Sequence, residues 1–500
     1  MPLSNEQSYA FEKFKQGQNL VITGPGGTGK SELIKHFVAH AALINKPLQV
    51  TALTGCAALL IGSSAKTIHS WSGVKLGKGP IDEIVEKTLK SRKAKKNWKK
   101  TQILIIDEAS MMSKKMYDLL DTLGQAMRFN KRPFGNMQVI LVGDFYQLPP
   151  ICSDGEPDTG RFCFESTNYY NAFPIDQHVV LKTIYRQNDS VYIKILNEIR
   201  EGELSDSSIK ILNQYVNREY DVDQNNGVSL TKLFPTRNKV DTTNHIMFER
   251  IQEDAKDCKA ITIQNAVAYA ESGKTIEPDK MEICRKLTSR ELDQETEQLI
   301  SNSPMMPILS LKKGATVMCT ANIGMENGIC NGSQGIVIDF VGRENTPKVK
   351  FSNGYVMLME RHTWQSDVYP TICVKQYPLV LAWALTIHKI QGTTLTNAQM
   401  DIGNDIFAYG QSYVALSRIR SLDGLYLSSF VPSKVKADPR VKEFYAQLYE
   451  LVFEECEHEE CEHEEVKHTE EKKVNIFAGY ELKEETYEES SDIKKIPFHF

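Results

Sequence analysis

Short apolar runs, polar loops and amphipathic stretches follow one another in a repeating order along the first 150 residues. Asn19–Thr23, Leu48–Leu53, Gln102–Ile106 and Met137–Val142 each read as a short buried strand. Glu32–Val38 puts Leu33, Phe37 and Ile34 on one helical face. Ser4 stands three residues before Gln7, a capping-box spacing, ahead of a helix through Tyr9, Phe11 and Phe14. Strands alternating with helices predict a mostly parallel sheet, with chemistry on the carboxyl side of its strands. Helical spacing dominates Asp189–Tyr215, and Thr231–Asn238 predicts a strand followed by a polar loop. Residues 253–305 are polar and irregular. Between 308 and 380, Ala315–Thr320, Gly335–Phe340 and Pro347–Phe351 predict short strands separated by Gly and Asn turns, hence a small barrel. The α/β pattern resumes at Leu379–Trp383 and closes at Gly424–Leu427.

A chain of 500 residues predicts two to four domains, and 41% hydrophobic with 25% charged residues suits a soluble globular protein. With no run of about eighteen apolar residues, no membrane partner is expected. Met1–Gln7 has neither an apolar signal core nor an Arg-rich presequence. Ten scattered cysteines suit a reducing intracellular compartment; with no Arg-rich presequence, the nucleus or a viral replication site is expected rather than a mitochondrion. The net charge of −5 is unevenly spread. From Glu454 to Phe500 sixteen Asp/Glu face six Lys, so residues 1–453 carry 53 basic against 48 acidic side chains. A mildly basic body is compatible with nucleic acid as partner. The acidic tail could compete with DNA phosphates for that body, or serve as a solubilising or protein-binding segment. Its repeat, Cys456-Glu457-His458 and Cys461-Glu462-His463, has a spacing unlike ordinary structural zinc sites. Lys87–Lys100 holds eight basic residues, no acidic one, and Trp98; it reads either as a solvated helix face or as a phosphate contact.

The densest chemistry is Gly24-Pro25-Gly26-Gly27-Thr28-Gly29-Lys30-Ser31, which fits G-x-x-x-x-G-K-[ST] between a strand and a helix. Its glycines let backbone N–H groups turn toward an anion, and the helix end adds partial positive charge. Lys30 is expected to reach the β- and γ-phosphates of a nucleoside triphosphate, and Ser31 Oγ to take a Mg²⁺ position. A phosphate loop needs a second acidic site, and Asp107-Glu108, at the end of an apolar strand, supplies it. Asp107 would hold Mg²⁺ through its water shell and Glu108 would polarise the attacking water. Gln147 lies past the next strand, where an amide could touch the γ-phosphate. Positive charge on the transferring phosphoryl group is worth about three to five powers of ten in rate. Arg186 and Arg418 are the candidates, each following an apolar stretch where a surface ion pair is the alternative.

The order of these segments resembles superfamily 1 helicases of the PIF type, related to the RecD helicases. Gly24–Ser31, Asp107-Glu108-Ala109-Ser110 and Gly143–Pro150 are similar to motifs I, II and III. Thr54–Ala58 with Thr67–Trp71 is similar to the Ia region, Ala384–Leu395 to motif V and Tyr413–Arg418 to motif VI. The resemblance spans about residues 3–430. It implies an α/β fold of two RecA-like P-loop lobes with parallel sheets, a small wedge insertion and an SH3-like β-barrel insertion. The corresponding boundaries are 1–188 for the first lobe, with the wedge near 72–100, and 189–307 with 379–452 for the second. The barrel would be 308–378; residues 253–305 and the chain beyond about 453 have no counterpart in the resemblance, and 453–500 reads from its composition as a disordered acidic tail.

The same resemblance implies adenine reading by Gln7, nucleotide contacts from Gln391 and Gly392, and Arg186 and Arg418 presented to the γ-phosphate. It raises Gln147 to a γ-phosphate contact and puts Thr54, His69, Thr236, Thr386 and His388 along a single-stranded DNA groove. One departure is Ile390, where the family often has Ser. The implied activity is ATP-dependent 5′→3′ translocation on single-stranded DNA with duplex unwinding, in replication, repair, recombination or telomere maintenance. Single-stranded DNA and single-strand/duplex junctions are the implied partners, with G-quadruplex and RNA–DNA hybrid as further candidates. A DNA-stimulated translocase without unwinding, or a nucleic-acid-binding scaffold, is the alternative.

Overall fold

Six parallel strands carry the first part of the chain. They are β1 (Leu20–Thr23), β2 (Leu48–Ala52), β3 (Lys66–Thr67), β4 (Ile103–Asp107), β5 (Gln138–Val142) and β6 (His178–Val180), in the order β3-β2-β4-β5-β1-β6. The computed structural model describes residues 3–54, 57–58, 65–74, 77–221, 229–264, 278–301, 303, 305–321, 323, 327–366 and 369–448. All belong to one compact unit, Met1–Tyr449; the acidic tail and its Cys/His repeat lie outside the described residues.

The near-continuous apolar runs follow from burial on both faces of this sheet. Leu20, Ile22, Ile103, Ile105, Ile140 and Val142 face helices α1 (Asn5–Lys15) and α2 (Lys30–Leu43), through Phe14, Leu33 and Phe37. Ser4 and Gln7 form the expected capping box at the start of α1. On the other face, Val21, Leu104, Ile106, Val139 and Leu141 meet α3 (Ile81–Leu89), α4 (Arg92–Lys100) and α5 (Lys114–Arg128). The basic stretch is thus a helix pinned by its two buried residues, Ala94 and Trp98. Trp98 Nε1 donates to Ser72 O at 3.1 Å and its ring lies 4.7 Å from that of Trp71, so this tryptophan is core.

The segment 181–189 leads out of this lobe into α6 (Ser190–Glu201) and α7 (Asp206–Gln214). β7 (Thr231–Phe234) follows, then α8 (Arg237–Glu249), which leaves only Pro235-Thr236 of the expected polar loop. A β-rich portion comes next: β8 (Lys256–Lys259), β9 (Ile261–Ile263), β10 (Ile308–Leu311), β11 (Thr316–Cys319), β12 (Gln334–Val341), β13 (Thr346–Phe351), β14 (Val356–Leu358), β15 (His362–Gln365), β16 (Cys373–Gln376) and β17 (Leu379–Leu381). Among the described residues these strands form three antiparallel sheets, β14-β13-β12-β11-β17, β15-β16-β9 and β10-β8, rather than one closed barrel ladder. β14 and β17 are opposite edges of the largest sheet and do not pair with each other.

Strand pairing also cuts across two expected boundaries. β8 pairs with β10 and β9 with β16, so part of 189–307 belongs to this β-rich portion. β17 pairs with β11, so the second α/β sheet resumes at β18 (Ala384–Thr386) rather than at 379. That sheet, completed by β19 (Ala398–Ile402) and β20 (Leu425–Phe430), is parallel in the order β18-β7-β19-β20. Its core joins Leu233, Leu385, Met400 and Leu427 to Ile195 and Ile199 of α6 and to Val414 of α9 (Gln411–Leu416). A last described helix, 439–448, returns to the first lobe, where Val441, Phe444, Tyr445 and Leu448 are buried in the core that holds Trp98. No described helix is long and apolar enough to cross a membrane.

Candidate active site

The loop between β1 and α2 is shaped by backbone that other residues adopt at a cost. Gly29 has φ +80° and stands at the N-cap of α2, with no side chain capping the first turn. The N–H groups of that turn therefore remain available to an anion. Lys30 Nζ folds back over the loop, donating to Gly24 O at 2.7 Å and Pro25 O at 2.8 Å. Burial lowers its pKa to about 8, against the opposing pull of the Asp144, Glu108 and Asp107 carboxylates. Thr28 Oγ1 donates to Pro25 O at 2.9 Å and closes the turn.

Asp107 ends β4. Burial, then the Glu108 carboxylate, raises its pKa to about 7, while the Glu108 N–H, donated at 2.8 Å, works the other way. Glu108 itself has φ 56° and ψ 40°, a left-handed conformation that a non-glycine residue holds only under constraint from its surroundings. The constraint includes the second lobe, since Gln391 Nε2 donates to Glu108 Oε2 at 3.0 Å.

Gly26, Gly27, Gly29, Lys30, Ser31, Asp107, Glu108, Gln147, Arg186, Gly392 and Arg418 line one cavity of about 300 Å³ between the two sheets. Gln147 is buried, and its Oε1 has no hydrogen-bond partner among the described residues. Arg186 lies on the connecting segment and donates from Nη1 to Ser417 O at 3.2 Å. Arg418 is held by Nε to Val414 O and Nη2 to Ser417 Oγ, both at 2.8 Å; burial and then the nearby Arg186 lower its pKa to about 10. Gln7 sits behind the loop. Its Nε2 donates to Thr28 O at 3.2 Å and its Oε1 accepts the Ser4 N–H at 3.0 Å, so both ends of the amide are engaged within the protein.

Four residues that the sequence did not single out also belong here. Tyr413 OH, on α9, accepts the Gly26 N–H at 2.8 Å, a contact from the second lobe onto the phosphate loop. Tyr185, half-exposed, borders this cavity and a polar neighbour of about 650 Å³ that Asn188, Asp189, Thr394 and Arg420 also line. Asp144, fully buried beyond β5, takes a bidentate ion pair from Arg200 of α6, with Nη2 to Oδ1 at 2.9 Å and Nε to Oδ2 at 3.1 Å. Asp144 stands three residues before Gln147, the one local hint; Arg200 carries none.

Thr54 follows β2, His69 follows β3, Thr236 follows β7, and Thr386 with His388 ends β18. All five occupy the carboxyl side of parallel strands. Thr54 and Thr386 hydroxyls cap their own turns, accepting from Ala57 N and Lys389 N. His69 and His388 are held toward the neutral form by burial, and the His388 ring stacks on the exposed Phe407 at 6.4 Å. Ile390 is fully buried in the second core, which explains an apolar residue there.

Residues 2–210 match the model described as PIF1-like helicase, and residues 297–340 that of the DNA helicase Pif1 2B domain. The human protein named ATP-dependent DNA helicase PIF1 is 34% identical over 450 residues, covering 89% of this chain and 64% of that protein. The chain spans just under two thirds of the length of the curated relatives it first matches. The crystal structure of Pif1 helicase from Candida albicans is 32% identical with a TM-score of 0.69, covering 90% of this chain and all of that one. The Bacteroides Pif1 structure with ADP-AlF3 and single-stranded DNA is 25% identical with a TM-score of 0.59, covering 90% and 98%.

Proposed function

The chain belongs to the PIF1-like helicases, and from that premise we propose that it is an ATP-dependent DNA helicase, moving 5′→3′ on single-stranded DNA and unwinding duplex. The observation that carries the reading is the cavity shared by Lys30, Asp107 and Glu108 of the first lobe with Gly392 and Arg418 of the second. A nucleotide bound there is touched from both sides, so its turnover is coupled to the spacing of the lobes.

In this mechanism the phosphate loop and Lys30 hold the β- and γ-phosphates, while Tyr185 offers a ring to the base beside the polar cavity. Glu108, held by Gln391, orients water for attack, and the unpartnered Gln147 Oε1 accepts from that water. Arg186 and Arg418 stabilise the charge on the phosphoryl oxygens. Ser31 Oγ and the buried Asp107 carboxylate are hard oxygen donors beside the loop and fit a Mg²⁺ ion, which supplies charge neutralisation when bound. Since Arg186 and Gln391 join the γ-phosphate side to the second lobe, hydrolysis releases that lobe. The groove of Thr54, His69, Thr236, Thr386 and His388 grips the strand through backbone contacts and stacking on His388 and Phe407, which tolerate sequence.

That tolerance extends the proposal to junctions, G-quadruplex and RNA–DNA hybrid as structures met on the same track, in DNA replication, repair, recombination and telomere maintenance. The nucleus or a viral replication site is the corresponding place of action. The test is ATP hydrolysis by wild type and Lys30→Ala, with and without single-stranded DNA. DNA should raise the wild-type rate manyfold and leave Lys30→Ala near background. Equal rates for the two proteins would reject the reading.

A further inference from the structure

The two lobes are joined twice. The first connection, 181–189, leaves β6, and Leu181 donates its N–H to Thr23 O at 2.8 Å. The second leaves β20 at Phe430 and passes the end of α6. Gly202, at the end of that helix with φ +71°, touches it so closely that a Cβ there would lie 2.5 Å from Ala437 N. The chain then enters the first lobe as the helix 439–448, where Phe444 stacks on Phe164 with ring centroids 4.3 Å apart and 11° between planes. Next to it, Tyr445 is 1% exposed, and its hydroxyl shares a hydrogen bond with Thr23 Oγ1. Thr23 is the last residue of β1, immediately before Gly24. Both connections thus meet on the residue that leads into the phosphate loop, one at its backbone and one at its side chain.

The same hydroxyl donates to Asp144 Oδ1 at 3.4 Å. Asp144 is clamped by Arg200, whose guanidinium lies 4.4 Å from the Tyr146 ring centroid and 5.1 Å from that of Tyr445, with the two rings stacked at 4.8 Å. A buried ion pair is often no more stable than apolar residues of similar size. Here it joins an α6 side chain to the loop after β5, beside the site.

We propose that Tyr445 and Arg200 are positioning residues for the phosphate loop, acting through Thr23 and Asp144, so that lobe movement is delivered to the loop by the second connection. This rests on the reading of the cavity as an ATP site. Tyr445→Phe keeps the ring and removes the hydroxyl. It should raise the KM for ATP in DNA-stimulated hydrolysis, and the Kd of a fluorescent ATP analogue, by about fivefold, as expected for one buried hydrogen bond. The Kd for single-stranded DNA without nucleotide should stay unchanged. Thr23→Val should match it, the double variant should be no worse than either single one, and Thr23→Ser should restore the wild-type KM. A Tyr445→Phe protein with lowered thermal midpoint but wild-type KM and analogue Kd would overturn the proposal, as would independent, multiplying effects of Tyr445→Phe and Thr23→Val. If wild type binds the analogue without hydrolysing ATP, the functional reading fails, while the analogue Kd values still decide this one.

Discussion

Glu108 concentrates the chemistry at the residue scale. A left-handed backbone aims its carboxylate into the cavity, and Gln391 from the other sheet fixes one of its oxygens. Glu108→Gln should leave ATP binding intact and lower kcat by about two to four powers of ten, the usual contribution of a positioned general base. A variant hydrolysing at near wild-type rate in a steady-state assay would remove Glu108 from that role. His178 gives a different kind of prediction. Burial lowers its pKa to about 4, with its Nδ1 against Pro174 O and Ile175 O and its ring against Phe444. The unfolded chain takes up this proton near pH 6.5 and the folded one only near 4. Stability is therefore fully present above about 6.5 and falls as pH drops, by about 2 kcal/mol between pH 7 and 5. Urea melts at the two pH values should show a smaller fall in His178→Asn; parallel falls would contradict this.

Helix α4 separates packing from binding at the scale of elements. Ser91 caps it, Ala94 and Trp98 fix it to the core, and six of its nine residues are cations. Arg92, Lys95, Lys96 and Lys100 make no ion pair among the described residues, which leaves this face to solvent or to a polyanion. Trp98→Ala should cost about 3 to 5 kcal/mol in urea melts, as for other large-to-small core changes. Lys95→Glu with Lys96→Glu should leave the melt alone and lower the salt dependence of DNA binding by about two phosphate contacts. An unchanged salt slope would make the helix a solvated face. What could be read in advance follows the same division. Gly24–Ser31 and Asp107-Glu108 are contiguous in sequence because one strand end builds each, so local pattern reveals them. Arg200 meets Asp144 across 56 positions and Tyr445 meets it across 301, from helices whose spacing announces only burial. β8 and β9 are short and mostly exposed, without the alternation that marks a strand, so 253–305 gave no sign of joining the β-rich sheets.

On the scale of the whole molecule, loops and helix ends of both lobes line the cavity, and the chain crosses between the lobes at 181–189 and again at 431–438. In the proposed mechanism, loss of the γ-phosphate contacts of Arg186 and Arg418 would shift Thr236, Thr386 and His388 of one lobe relative to Thr54 and His69 of the other. The proposed 5′→3′ polarity corresponds to one direction of that shift along the strand. Strand separation on a duplex with a single-stranded 5′ tail, compared with the same duplex carrying a 3′ tail, reads it most directly. With Mg²⁺ and ATP, wild type should separate the 5′-tailed duplex and leave the 3′-tailed one paired, and Lys30→Ala should separate neither. Equal separation from both tails, or separation without ATP, would contradict the account.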